Sequence, residues 1–228
     1  MTQTTLQTRS EYKGLLPTEL RIDGSTEQTL VFDQIQNSTI TVGPEANTTI
    51  VVVLKKGWEE LRQINFIFEA ENSSLNFIAL VLGTESEEFP LEAVATHKVP
   101  HTKGSFFIRA AMFDRSKVDF RGNIIIEKAA QETDSYLAHH SLMLSDKAQT
   151  KTEPCLEIEA DNVAAGHAAT VGRVDDDMLF YLNSRGINKK QAQEMLIRGF
   201  LEHDLAKIPN EELRQALAED LESSLEPA

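Results

Sequence analysis

The chain has 228 residues, 41% of them hydrophobic and 25% charged, with a net charge of −14 at pH 7. That length holds one large domain, or a domain with a small appendage, and buries roughly 70% of its unfolded surface. The acidic balance excludes a broad nucleic-acid or anionic-membrane partner, because phosphates and acidic headgroups repel such a surface. A single cysteine, Cys155, excludes an internal disulfide. The opening MTQTTLQTRSEYKG has no apolar leader core, and no run reaches the ~18 residues of a membrane span. The expectation is a cytoplasmic protein.

Residues 1–14 are polar and aperiodic, and a flexible tail is expected over residues 1–19. From residue 20 the chain turns to short β-type runs: Leu30–Phe32, Thr39–Val42, Thr49–Leu54, Ile64–Phe68 and Leu75–Leu82. The pattern resumes at Phe106–Ala111, Ile124–Ile126, Leu142–Leu144, Leu156–Ile158 and Ala169–Gly172. Turn formers such as Gly43-Pro44 and Asn72-Ser73-Ser74 separate the runs. Such spacing suits a sandwich, a barrel or a β-solenoid. Runs of three or fewer apolar residues, and the scarcity of Asn-Gly and Asp-Gly hairpin pairs, favour the solenoid. Periodicity alone leaves the choice open.

The tail from residue 174 reads as helical. Asp175, Asp176 and Asp177 supply an N-cap and negative charge where free N–H groups favour both. Gly186 stops that helix, Asn188 caps the next, and Pro209 followed by Asn210 opens the last. The exposed face of the last helix is acidic, with Glu211, Glu212, Glu219 and Asp220. Three short amphipathic helices must pack on the β-core, on each other or on a partner.

The stretch ADNVAAGHAATVGRVDDDMLFYLNSRGI resembles the C-terminal signature of the SufB/SufD family, scaffolds of the SUF iron–sulfur cluster assembly system. Upstream, His97-Lys98-Val99-Pro100-His101-Thr102, Phe120-Arg121-Gly122-Asn123-Ile124 and HHSLMLSDK with Thr152, Pro154 and Leu156-Glu157-Ile158 are similar to further family segments. The resemblance covers about residues 90–205. It implies a right-handed parallel β-helix over residues 20–173, with roughly six or seven coils of 20 or more residues. A small α-helical domain over 174–228 would follow. The long N-terminal helical region of typical members is absent, and Met1 with its polar lead-in suggests a natural minimal form.

What the resemblance implies for function is a non-enzymatic, SufD-like scaffold. Residues about 175–205 would dock the SUF ATPase, a SufC-like P-loop protein, with Phe180, Tyr181, Arg185 and Phe200 as contact side chains. For Phe180 and Phe200, core packing is the more ordinary role. The last coils, around Leu142–Val171, would pair with a SufB-like subunit or a second copy of this chain.

Two residues are candidate ligands for an iron–sulfur cluster that is transient or shared at an interface. His167 takes the place of the family's motif histidine, and imidazole suits iron; its ordinary reading is a histidine bonded to backbone at a coil corner. Cys155 is the one thiolate, but a cluster normally takes four ligands, and a lone cysteine is more commonly a buried structural thiol. Ala165 stands where SufD-like sequences commonly have Cys, and Ala168 where SufB-like members have a functional Glu. His139 and His140 face opposite sides if their segment is a strand. His97 and His101 have helical spacing, which Pro100 disfavours.

Two other classes remain as alternatives. One is a metal- or cluster-binding homodimer that works without a SufB-like partner. The other is a carbohydrate-active β-helix enzyme using clustered acids, for which Asp175–Asp177 are the candidates.

Overall fold

Alternation of side chains along extended backbone decides this architecture. In β7 (Glu88–His97) the odd-numbered residues Phe89, Leu91, Ala93, Ala95 and His97 are buried, and those between them face outward. The same alternation runs through β5 (Arg62–Phe68) and β9 (Lys117–Ile126). The structure is a computed structural model that describes residues 14–24 and 27–225. The expected tail at residues 1–13 lies outside the described residues.

Among the described residues, twelve strands form two sheets, each six-stranded and wholly parallel. One takes the odd strands: β1 (Glu19–Ile22), β3 (Ser38–Val42), β5, β7, β9 and β11 (Gln149–Ile158). The other takes the even strands: β2 (Gln28–Phe32), β4 (Asn47–Leu54), β6 (Ser74–Gly83), β8 (Lys103–Met112), β10 (Asp134–Met143) and β12 (Ala164–Arg173). Successive strands alternate between sheets, which makes a β-helix. The repeat grows along it: Glu19 pairs with Thr39, 20 residues on, and Asp134 with Ala164, 30 residues on. Residues 14–18, expected in the tail, belong to this body, since Leu16 is fully buried and its N–H donates to the Gln34 carbonyl.

The coil interior is a stack of aromatic and aliphatic side chains. The Phe66 ring lies 4.9 Å from both Phe77 and Phe106. Imidazoles share that interior, and the ring of His97 is stacked on Phe68 at 4.1 Å. Its Nδ1 lies 2.7 Å from Thr102 Oγ1 and its Nε2 3.0 Å from Ser135 Oγ. Burial holds its pKa down at about 3, so it is neutral.

A second core lies outside the even sheet. Val51, Val53, Ile78, Leu80, Leu82 and Ala111 point away from the coil yet are buried. They meet Ile197 and Leu201 of α2 (Lys189–Glu202), Leu205 and Ile208, and Leu217 and Leu221 of α3 (Glu211–Leu225). Burial on both faces explains why β4 and β6 read as continuous apolar runs while the odd strands alternate. The amphipathic helices thus resolve their packing on the β-core. α1 (Asp176–Ser184) packs chiefly on α2. Its cap is the expected one: Asp175 accepts from the N–H of Asp177 and Met178. Gly186 has φ +89°, and Asn188 and Asn210 accept from Gln191 N–H and Leu213 N–H. No described helix is long and apolar enough to cross a membrane.

Candidate functional site

Two regions remain unsatisfied once the cores are filled. The first is the C-terminal end of the coil. β11 and β12 are the last strands of their sheets, so each leaves one edge without a neighbour among the described residues. The side chains that would fill the next layer are exposed: Ile158 is 42% and Val171 53% exposed although both point into the coil. The two edges differ. β11 carries Lys151, Glu153 and Pro154, residue types that discourage strand addition, whereas β12 is uncharged from Ala164 to Gly172 apart from His167.

His167 sits in the middle of β12, not at a coil corner. It pairs with Leu137, a core residue, so its imidazole faces the coil interior at the open end, exposed and without a hydrogen-bond partner. Cys155 pairs with Asn123 on the outer face of the odd sheet. It is exposed, which corrects the expectation of a buried structural thiol; only edge-strand neighbours flank it. The two candidate ligands therefore occupy different sheets and opposite faces, and they do not converge within one chain. No group of three or more His, Cys, Asp or Glu among the described residues is placed to hold a metal. A cluster, which normally takes four ligands, would need donors from a second chain.

The adjacent pair splits as strand geometry requires. His139 points inward and is fully buried, beside Phe120 at 5.0 Å; burial, with a smaller push from His140, lowers its pKa to about 4. His140 points outward, and its Nδ1 lies 2.7 Å from Thr170 Oγ1. His97 is a core residue, and His101 sits on a turn with φ +57° beside Glu132 at 3.3 Å.

The second region is the exposed face of α1. Phe180 is 76% and Tyr181 52% exposed, and Met178 of α1 and Met195 of α2 are exposed as well. The Arg185 guanidinium lies over the Tyr181 ring at 5.2 Å. Packing, the ordinary role for Phe180, is not what it does; Phe200 does pack, half-buried against the outer core under the Arg109 guanidinium at 5.0 Å. Sequence reasoning missed the group that seats this unit. Arg109 Nε of β8 donates to Asp204 Oδ2 at 2.5 Å, and Asp204 is buried directly after α2. A charge inside the apolar run FFIRAAM was the available signal on one side; Asp204, among Glu202, His203 and Lys207 in LEHDLAKI, gave none on the other. Nothing in either run said that the two meet.

The described residues thus form a parallel β-helix whose C-terminal end is open, with a helical unit seated on its flank that leaves apolar side chains outward. The family follows from comparison: the chain matches the SUF system FeS cluster assembly SufBD core domain over residues 25–200, and it belongs to that family. It is similar to the iron–sulfur cluster assembly protein SufD of Escherichia coli, 33% identical over 145 residues covering 64% of this chain and 34% of that one. SufD of Bacillus subtilis is 36% identical over 61% of this chain and 32% of its own length. A SufBD family protein of Mycobacterium bovis is 29% identical over 81% of this chain and 49% of its own. The chain thus spans between about a third and a half of the relatives it matches.

Proposed function

We propose that the chain is a non-enzymatic, SufD-like scaffold subunit of iron–sulfur cluster assembly in the cytoplasm. Its C-terminal helices dock the SUF ATPase, and its open coil end pairs with a second scaffold subunit. The observation that carries this reading is the exposed α1 face, Met178, Phe180 and Tyr181, on a unit held to the β-core by the buried Arg109–Asp204 pair. Large apolar side chains bared together on a seated helix suit a protein partner better than solvent. The nucleotide chemistry belongs to the ATPase. The cluster is cargo, and His167 at the open end is the donor this chain brings to it.

β12 is the edge through which the second subunit adds, because it lacks the charges and proline that guard β11. A SufB-like subunit and a second copy of this chain compete for that role. The acidic triplet at 175–177 is accounted for as a helix start, so nothing favours a carbohydrate-active enzyme. The test is co-purification of the full chain with the SUF ATPase and the SufB-like subunit of its own source. In a Val171→Lys variant we expect the second subunit to be lost and the ATPase retained. Loss of both together, in a folded variant, would contradict two separate docking surfaces.

A further inference from the structure

The seat of the helical unit holds an ionisable cluster that neither docking surface uses. Arg109 of β8 and His140 of β10 are register partners, and both point outward, side by side on the even sheet. The segment after α2 packs over them. Asp204 of that segment accepts from Arg109 Nε at 2.5 Å, and Lys207 lies 3.6 Å from its other oxygen. From the edge strand β12 comes Thr170, whose Oγ1 lies 2.7 Å from His140 Nδ1. A half-buried imidazole thus sits between the last strands of the sheet and the segment that seats the helices.

The surroundings of this ring disfavour a cation. Arg109 lies beside it on β8, His203 acts on it from the end of α2, and the anion that faces it, Asp204, is already held by Arg109 and Lys207. β12 brings no charge to the ring: His167 faces the coil interior, and the Arg173 guanidinium bonds Asp146. On β10 itself, His139 points to the opposite side of the sheet. Burial first, and Arg109 next, hold the His140 pKa below its ordinary value against the opposing pull of Asp204. Lifting the helical unit reverses the larger effect, because the ring returns to water while Asp204 and His203 leave with the segment. The ring therefore binds a proton more tightly when the helices are unseated.

We propose that His140 is a proton-sensitive catch on the helical unit: as a neutral ring it lets α2 and α3 sit on the even sheet, and as a cation it loosens them. Above about pH 6.5, the ordinary histidine range, the ring is neutral in both states and the seat is at full strength. As pH falls below that, the unseated state takes up its proton first, and its population rises by up to about tenfold per pH unit. Histidine is the side chain whose charge changes in this range, and here it lies where a single charge meets three elements. The catch is a contact within one chain and stands apart from the partner reading.

The experiment is amide hydrogen exchange of the full chain without partners at about pH 7.5 and about pH 5.5, corrected for intrinsic rates. Amides of α2 and α3 are compared with those of β5, β7 and β9. We expect acid to lower protection in the two helices several-fold more than in the odd sheet. His140→Gln and His140→Leu, neutral at every pH, keep the helices protected at the higher pH and remove the difference at the lower. His97→Gln, which alters the coil interior, leaves the difference in place, and His203→Gln leaves most of it. Equal loss of protection in both regions of the wild-type chain, or a difference that survives both His140 variants, overturns the proposal. So does loss of helix protection in both variants at the higher pH, since the seat would then depend on the ring and not on its charge. None of these results bears on the co-purification test, so failure here is distinguishable from failure of the scaffold reading.

Discussion

An Asp204→Ala variant is expected to lose about 3–5 kcal/mol of stability, the largest single-site effect in the helical unit. Asp204 is 1% exposed and joins Arg109 at 2.5 Å, with Lys207 3.6 Å away on its other oxygen. Removing the carboxylate leaves Arg109 buried among Phe200 and the outer core with no counter-charge. Replacing both partners, as in Arg109→Leu with Asp204→Leu, is expected to recover most of the loss, because the desolvation cost disappears with the charges. Urea unfolding of the two singles and the double decides this. A single variant within about 1 kcal/mol of wild type would place the pair among weak surface bridges instead.

Acid is expected to destabilise the fold well above the range where carboxylates titrate. His97 and His139 are buried as neutral rings with pKa values pushed down to about 3 and about 4. Above pH ~6.5 both folded and unfolded chains hold these rings neutral, and their full contribution to stability is present. Below it the unfolded chain takes up protons that the folded chain refuses, so stability is lost as pH falls toward 4. Each ring contributes a slope of roughly 1 kcal/mol per pH unit in that window. Denaturant midpoints measured from pH 8 to pH 4.5 should fall accordingly, and His97→Gln should flatten the slope by about half while lowering stability at pH 8. A flat profile in the wild-type chain would mean that the rings are not closed off from solvent.

The β-helix was legible in the sequence, though partly for a reason that fails. Short apolar runs suggested short flat faces, yet β6 to β12 are ten residues each. The runs are short because outward positions are polar in the odd sheet, and because the last strands bury little. β7 escaped notice altogether, since EFPLEAVATH carries Glu88, Pro90 and Glu92 on its outer face, and proline inside a run argues against a strand. Helix ends read well because caps are local: Asp175, Asn188 and Asn210 each accept a backbone N–H within three residues.

Contacts between distant parts of the chain did not read. Arg109 and Asp204 lie 95 residues apart, and a histidine in an interior looks the same in sequence as one on a surface. Cys155 was expected inside by residue type and lies outside by register. His167 was identified from its motif, but its inward aim beside His139 required the pairing of β10 with β12.

The most direct measurement is binding of the SUF ATPase to the full chain and to a Phe180→Asp, Tyr181→Ala double variant. Truncation after residue 173 is a poorer choice, since it would bare Ile78, Leu80 and Val51 of the outer core. The double variant touches only exposed side chains, so its unfolding midpoint should match wild type within about 0.5 kcal/mol. The scaffold account predicts at least a tenfold loss of ATPase binding, worth about 1.4 kcal/mol, with the fold intact. Undiminished binding by the double variant would show that the exposed α1 face is not the dock, and would contradict the account at its centre.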